Sequence, residues 1–113
     1  MPIKTLRIVS FNIFYALRHR RLARSVFSYF TELDPDVICL QEVLIGKKRN
    51  FARDLADALD MHVSFSLRRE YGQRQIGLAV LSRAPAEENT TVVLPRSPVA
   101  RPRIVQIVQI MHK

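Results

Sequence analysis

The chain has no tryptophan, one cysteine and only three glycines among its 113 residues. The lone cysteine, Cys39, excludes an internal disulfide. A single thiol fits a reducing compartment, so a cytoplasmic location is expected. The glycines stand at 46, 72 and 77, a spacing that excludes both the Rossmann fingerprint and the P-loop. No apolar run approaches the roughly 18 residues of a membrane span. The N-terminal Met-Pro-Ile-Lys-Thr-Leu-Arg lacks the long apolar stretch of a secretory signal. No Gly-x-Ser-x-Gly element offers a serine nucleophile. His19, His62 and His112 stand apart, with no second histidine or cysteine at metal-ligand spacing. Acidic residues are scarce, 10 against 18 basic ones, which leaves a net charge of +8.

The rest of the composition is that of a globular protein, 48% hydrophobic and 25% charged. The length suits one domain over residues 1–113 with one modest core. The basic residues cluster: Arg18 to Arg24, Lys47 to Arg53, Arg68 to Arg74, and Arg96 to Arg103. Such an excess fits a polyanionic partner, because cationic side chains release counterions from phosphates. The plainer reading, a solvated basic surface that aids solubility, is the more common outcome for such charge runs. The aromatic interleaving of single-strand binders is missing.

The periodicities give the order β-α-β-α-β-β-β-β. Leu6 to Ile13 is short and β-branched, as a strand is. Arg18 to Leu33 reads as a helix, with Leu22, Val26, Phe30 and Leu33 on one stripe. Asp34-Pro35 stops it. Val37 to Leu40 is a continuous apolar run, expected of a strand covered on both faces. Residues 48–60 read as a second helix, with Phe51, Leu55 and Leu59 every fourth residue. Its Ala52, Leu55, Ala56 and Leu59 face is read as core. Val63 to Leu67 alternates as a half-buried strand, and Tyr71-Gly72 turns the chain into a strand at Ile76 to Leu81. Pro85 to Asn89 reads as loop, Thr91 to Leu94 as a short strand and Ile104 to Met111 as the last. A mixed sheet with both helices on one face follows.

Two polar positions are equivalent in this scheme. Asn12 closes the first strand, and Gln41 and Glu42 follow the second. Ligands in open α/β sheets gather beyond the carboxyl ends of strands. The Asn12 amide oxygen and the Glu42 carboxylate are hard donors of the kind Mg2+ takes alongside waters and phosphate oxygens. Glu42 reads equally as an exposed loop carboxylate paired with Lys47, and Asn12 alone reads as a turn cap. Cys39 reads as a small buried hydrophobe.

At these residues the chain resembles the endonuclease/exonuclease/phosphatase family, metal-dependent phosphoesterases that include DNase I-like and exonuclease III-like nucleases. Leu6-Arg-Ile-Val-Ser-Phe-Asn12-Ile is similar to the family's opening strand, which ends in a metal-site asparagine. Leu33-Asp-Pro-Asp-Val-Ile-Cys-Leu-Gln41-Glu42-Val is similar to its metal-glutamate motif, and Ile76-Gly77-Leu-Ala-Val-Leu-Ser82-Arg83 to a later structural strand. Arg103, at the start of the last strand, also suits the family.

The resemblance implies half of a DNase I-like α-β-β-α sandwich, a mixed sheet with two helices on its outer face. It implies Mg2+ or another divalent cation such as Mn2+ on Glu42, with Asn12 helping to bind the metal or phosphate, and a phosphate-ester substrate, nucleic acid among the candidates. The attacking water would be activated by an aspartate–histidine arrangement.

The resemblance covers the N-terminal half of the family's domain. The other half supplies an Asp-x-Asn pair, the activating histidine and a late Asp-His, yet here no aspartate follows Asp60. A portion inactive by itself is therefore expected. The alternative is a non-catalytic remnant that binds nucleic acid or oligomerises. Half a sandwich should leave an apolar sheet face exposed. Ile104 to Ile110 is uncharged and free of proline, so self-association is expected through that face or strand.

Overall fold

The computed structural model describes residues 5–13, 20–45, 50–71, 74–94 and 103–111. The elements run β1 (Ile8–Asn12), α1 (Arg20–Leu33), β2 (Val37–Ile45), α2 (Phe51–Leu59), β3 (His62–Tyr71), β4 (Arg74–Ser82), β5 (Ala86–Val93) and β6 (Ile104–Ile110). This is the mixed α/β order expected. The first four strands form one sheet in the order β1-β2-β4-β3, with β1 parallel to β2 and the other pairs antiparallel.

Both helices cover the same face of this sheet. Their Phe30, Ala52, Leu55, Ala56 and Leu59 meet Ile38, Leu40, Val43, Ala79 and Leu81 in one buried cluster. A fully buried leucine such as Leu55 contributes about 1.5–3 kcal/mol of transfer free energy. The expected α1 stripe is graded: Phe30 is buried, Val26 and Leu33 are half-buried, and Leu22 stays exposed. Phe30 sets its ring edge-on to Phe11, and Phe27 to Phe51 of α2.

The helix ends explain the strand starts. Asp34 ends α1 in the left-handed region, its N–H donating to the Phe30 carbonyl at 3.0 Å. Asn50 caps α2, its side chain accepting from the Arg53 N–H at 3.1 Å. Asp60 closes α2 with a second left-handed residue, whose N–H donates to Ala56 and Asp57. An aspartate tolerates this conformation better than a bulky residue does.

Three expectations are corrected. The last two strands do not extend the main sheet but pair with each other in a second, two-stranded sheet. The segment Pro85 to Asn89 is not all loop, because β5 begins at Ala86. Glu87, Glu88 and Asn89 favour strands poorly, and pairing with β6 overrides that local preference. Finally, Gln41 and Glu42 do not follow β2 but lie inside it. The second sheet lies on the face of the first that the helices leave open, against β3 and β4. Part of the face expected to be bare is therefore covered, while Ile8 on β1 remains 60% exposed.

No helix among the described residues is long and apolar enough to cross a membrane.

Candidate functional site

The parallel pairing of β1 and β2 sets Asn12 opposite Gln41. Strict alternation along β2 would place Glu42 with Ile38 and Leu40, facing the helices. It does not lie there. The register with β4 slips between Leu40, opposite Ala79, and Val43, opposite Gly77. Two residues, Gln41 and Glu42, thus span the place of one, Leu78. This β-bulge turns Glu42 out of the core and lets Val43 take the core position, where it is fully buried. Glu42 adopts φ 54°, a left-handed conformation uncommon for a residue with a Cβ.

The bulge makes the site. Asn12, Gln41 and Glu42 line one cavity of about 230 Å3, with Ile76, Gly77 and Leu78 from β4 and Arg103 and Ile104 from the start of β6. The two residues singled out from sequence are therefore neighbours around a common space. Gln41 is held by its own amide, which donates to Ser10 Oγ and to the Cys39 carbonyl, each at 3.1 Å. One carboxylate oxygen of Glu42, Oε2, is sheltered from solvent and has no hydrogen-bond partner among the described residues. A desolvated carboxylate oxygen requires a cation or a donor to offset its cost. The proposed loop partner, Lys47, lies outside the described residues.

A second bulge sits across β4. The β3–β4 register shifts between Leu67, opposite Gly77, and Arg69, opposite Ile76. Gly77 is thus flanked by irregular pairing on both sides. A Cβ at Gly77 would stand 2.0 Å from the Ser66 carbonyl oxygen, so the crossing of β3 and β4 needs glycine here.

Arg103, at the start of the last strand, was legible from sequence only through the resemblance to the family. Its place in the cavity depends on the second sheet folding over the first. Among the basic clusters, Arg21, Arg24, Arg53 and Arg103 are exposed and the other basic side chains fall outside the described residues, apart from Arg7 and Arg83. His112 lies outside them too. Among the described residues, no group of three or more His, Cys, Asp or Glu side chains could hold a metal ion. Burial pushes the Cys39 thiol above its ordinary pKa, as befits a half-buried hydrophobe on the inter-sheet face.

Residues 9–110 match the sequence model of the Endonuclease/Exonuclease/phosphatase family. The chain belongs to this family. Among solved structures it is similar to an endonuclease/exonuclease/phosphatase family protein from Leptotrichia buccalis C-1013-b, with TM-score 0.75 and 18% identity over 94% of this chain and 50% of that one. It is also similar to an endonuclease/exonuclease/phosphatase from Beutenbergia cavernae DSM 12333, with TM-score 0.63 and 20% identity over 91% of this chain and 37% of that one. At such identities the likeness is one of fold. The chain spans half the length of the first and less of the second. No curated protein matches the sequence.

Proposed function

We propose that the cavity between the two sheets is one side of the cation and phosphate site of a divalent-metal-dependent phosphoesterase. The observation that carries this reading is the sheltered Oε2 of Glu42, which has no hydrogen-bond partner among the described residues and belongs to a residue that a strained bulge sets in the cavity lining. Backbone strain of about 1–3 kcal/mol is kept where surrounding structure enforces it, often at functional sites. Glu42 would hold Mg2+ or Mn2+, with the Asn12 amide oxygen as a second hard donor. A bound cation there supplies Lewis-acid polarisation of a phosphoryl oxygen. Arg103, which lines the same cavity from the second sheet, carries a guanidinium of the kind that can bond two phosphate oxygens at once. Gln41, tied by two hydrogen bonds, keeps the bulge in register.

The activating histidine and the further carboxylates of the family pattern have no counterpart after Asp60 in this chain. We therefore read the chain as an N-terminal portion that binds cation and phosphate weakly and does not turn over substrate by itself. The test is titration with Mn2+ followed by electron paramagnetic resonance. The chain should bind Mn2+ in the high micromolar to millimolar range, and Glu42→Gln should abolish that binding while the circular dichroism stays native. Binding untouched by Glu42→Gln would refute the site. No hydrolysis of bis(p-nitrophenyl) phosphate with Mg2+ is expected. Turnover that vanishes in Glu42→Ala would instead show a complete enzyme.

The net charge of +8 favours a second reading, a non-catalytic module that binds nucleic acid or itself. Duplex DNA binding that falls steeply with salt and ignores both Mg2+ and Glu42→Gln would select it.

A further inference from the structure

The second sheet lies outside the buried apolar cluster that holds the rest of the fold together. Every residue of the buried hydrophobic cluster, and every half-buried residue packed on it, comes from β1 to β4, the helices or their connections. None comes from β5 or β6. On the inner side of β6, Ile104, Val108 and Ile110 are only half-buried, and among the described residues the side-chain hydrogen bonds that reach the first sheet are few. Thr91 Oγ1 meets Ser66 Oγ at 2.6 Å, Asn89 donates its amide to the Phe65 carbonyl at 2.8 Å, and Gln106 donates to the Ser64 carbonyl at 2.9 Å. Gln106 also donates to Asn89 Oδ1 at 3.0 Å, while its own Oε1 is sheltered with no partner among the described residues. Each such bond nets only about 1 kcal/mol, because water offers the same bonds when the sheets part. An isolated two-stranded pair is itself marginal. Beside this contact the sheets stand apart over a cleft of about 970 Å3.

We propose that β5 and β6 form a separately opening unit, and that its docking assembles the cavity. Asn12 and Glu42 belong to the sheet that stays folded. Arg103 and Ile104 belong to the unit that leaves. Opening therefore removes the cationic wall and exposes Glu42 Oε2 to water, without disturbing the apolar core. An anion that bridges Arg103 and a cation on Glu42 would close the unit. That last step rests on the phosphoesterase reading; the opening itself does not.

Native-state hydrogen exchange of the whole chain, read by mass spectrometry across low urea concentrations, tests this. Amides of β5 and β6 should exchange at least tenfold faster than those of β2 and β4, with a weaker urea dependence that marks partial opening. One common exchange step for all six strands overturns the proposal. The pair Ser66→Cys and Thr91→Cys, whose hydroxyls touch in the native protein, offers a reversible lock. Its oxidation should slow exchange in β5 and β6 at least tenfold and leave β2 and β4 unchanged; equal slowing everywhere, or none, counts against a separate unit. Inorganic phosphate with Mn2+ should slow β5 and β6 selectively. If these strands open first but ignore phosphate and Mn2+, the separate unit stands and the phosphate reading of the cavity falls.

Discussion

Gly77 and Ser66 approach so closely across the β3–β4 ladder that a methyl group on Gly77 would overlap the Ser66 carbonyl, 2.0 Å away. The contact is between backbones, which no side-chain rotation relieves. It lies between the two bulges, one of which turns Glu42 into the cavity. Gly77→Ala should therefore destabilise the chain by about 1–3 kcal/mol, the usual cost of overpacking. Urea unfolding checks this. Because the strain bears on the bulge, weakened Mn2+ binding should accompany it.

Glu42→Gly separates the backbone role of Glu42 in the bulge from the cation-binding role proposed for its carboxylate. Glycine adopts a positive φ without the Cβ penalty. The variant should be as stable as the parent or more so, by up to about 1 kcal/mol in urea unfolding, offset partly by the freer unfolded chain. It should nonetheless lose Mn2+ binding. A clear loss of stability would mean that the carboxylate holds the fold rather than a ligand.

Arg83 ties three connections together. Its guanidinium donates to the carbonyls of Pro35, at 3.3 Å, and Leu59, and pairs with Asp34. The Asp34 side chain is 76% exposed, so the ion pair itself is screened and worth under about 1 kcal/mol. The carbonyl bonds carry more. Arg83→Ala should cost about 2 kcal/mol and Asp34→Asn much less, measured by thermal unfolding at matched salt. Equal losses would show that the ion pair dominates.

Cys39 makes the stability depend on alkaline pH. Burial favours its neutral thiol, so the folded pKa lies above the unfolded one. The stabilisation is whole below the ordinary thiol range. It is lost as pH climbs from the unfolded value through the raised folded one. Cys39→Ala should flatten that alkaline decline in urea midpoints taken at several pH values. Iodoacetamide should also modify Cys39 more slowly at neutral pH than it modifies a free thiol.

The order of elements was written in the sequence because it rests on local periodicity. Phe51, Leu55 and Leu59 mark α2 wherever the chain goes, and Asp34-Pro35 stops α1 by local sterics alone. Asn12 and Glu42 were also visible, through residue type and the motifs around them. The chain alone did not show that Glu42 lies inside β2, because alternation would have buried it beside Leu40. Only the pairing of β2 with β4 fixes the bulge, since a bulge is a mismatch between two strands. The same holds for Arg103 and for the second sheet. Nothing local to Ile104–Ile110 says whether it joins the first sheet or lies across it; that choice is made only in the folded chain, where Thr91, Asn89 and Gln106 meet β3 and the half-buried side of β6 lies over the first sheet.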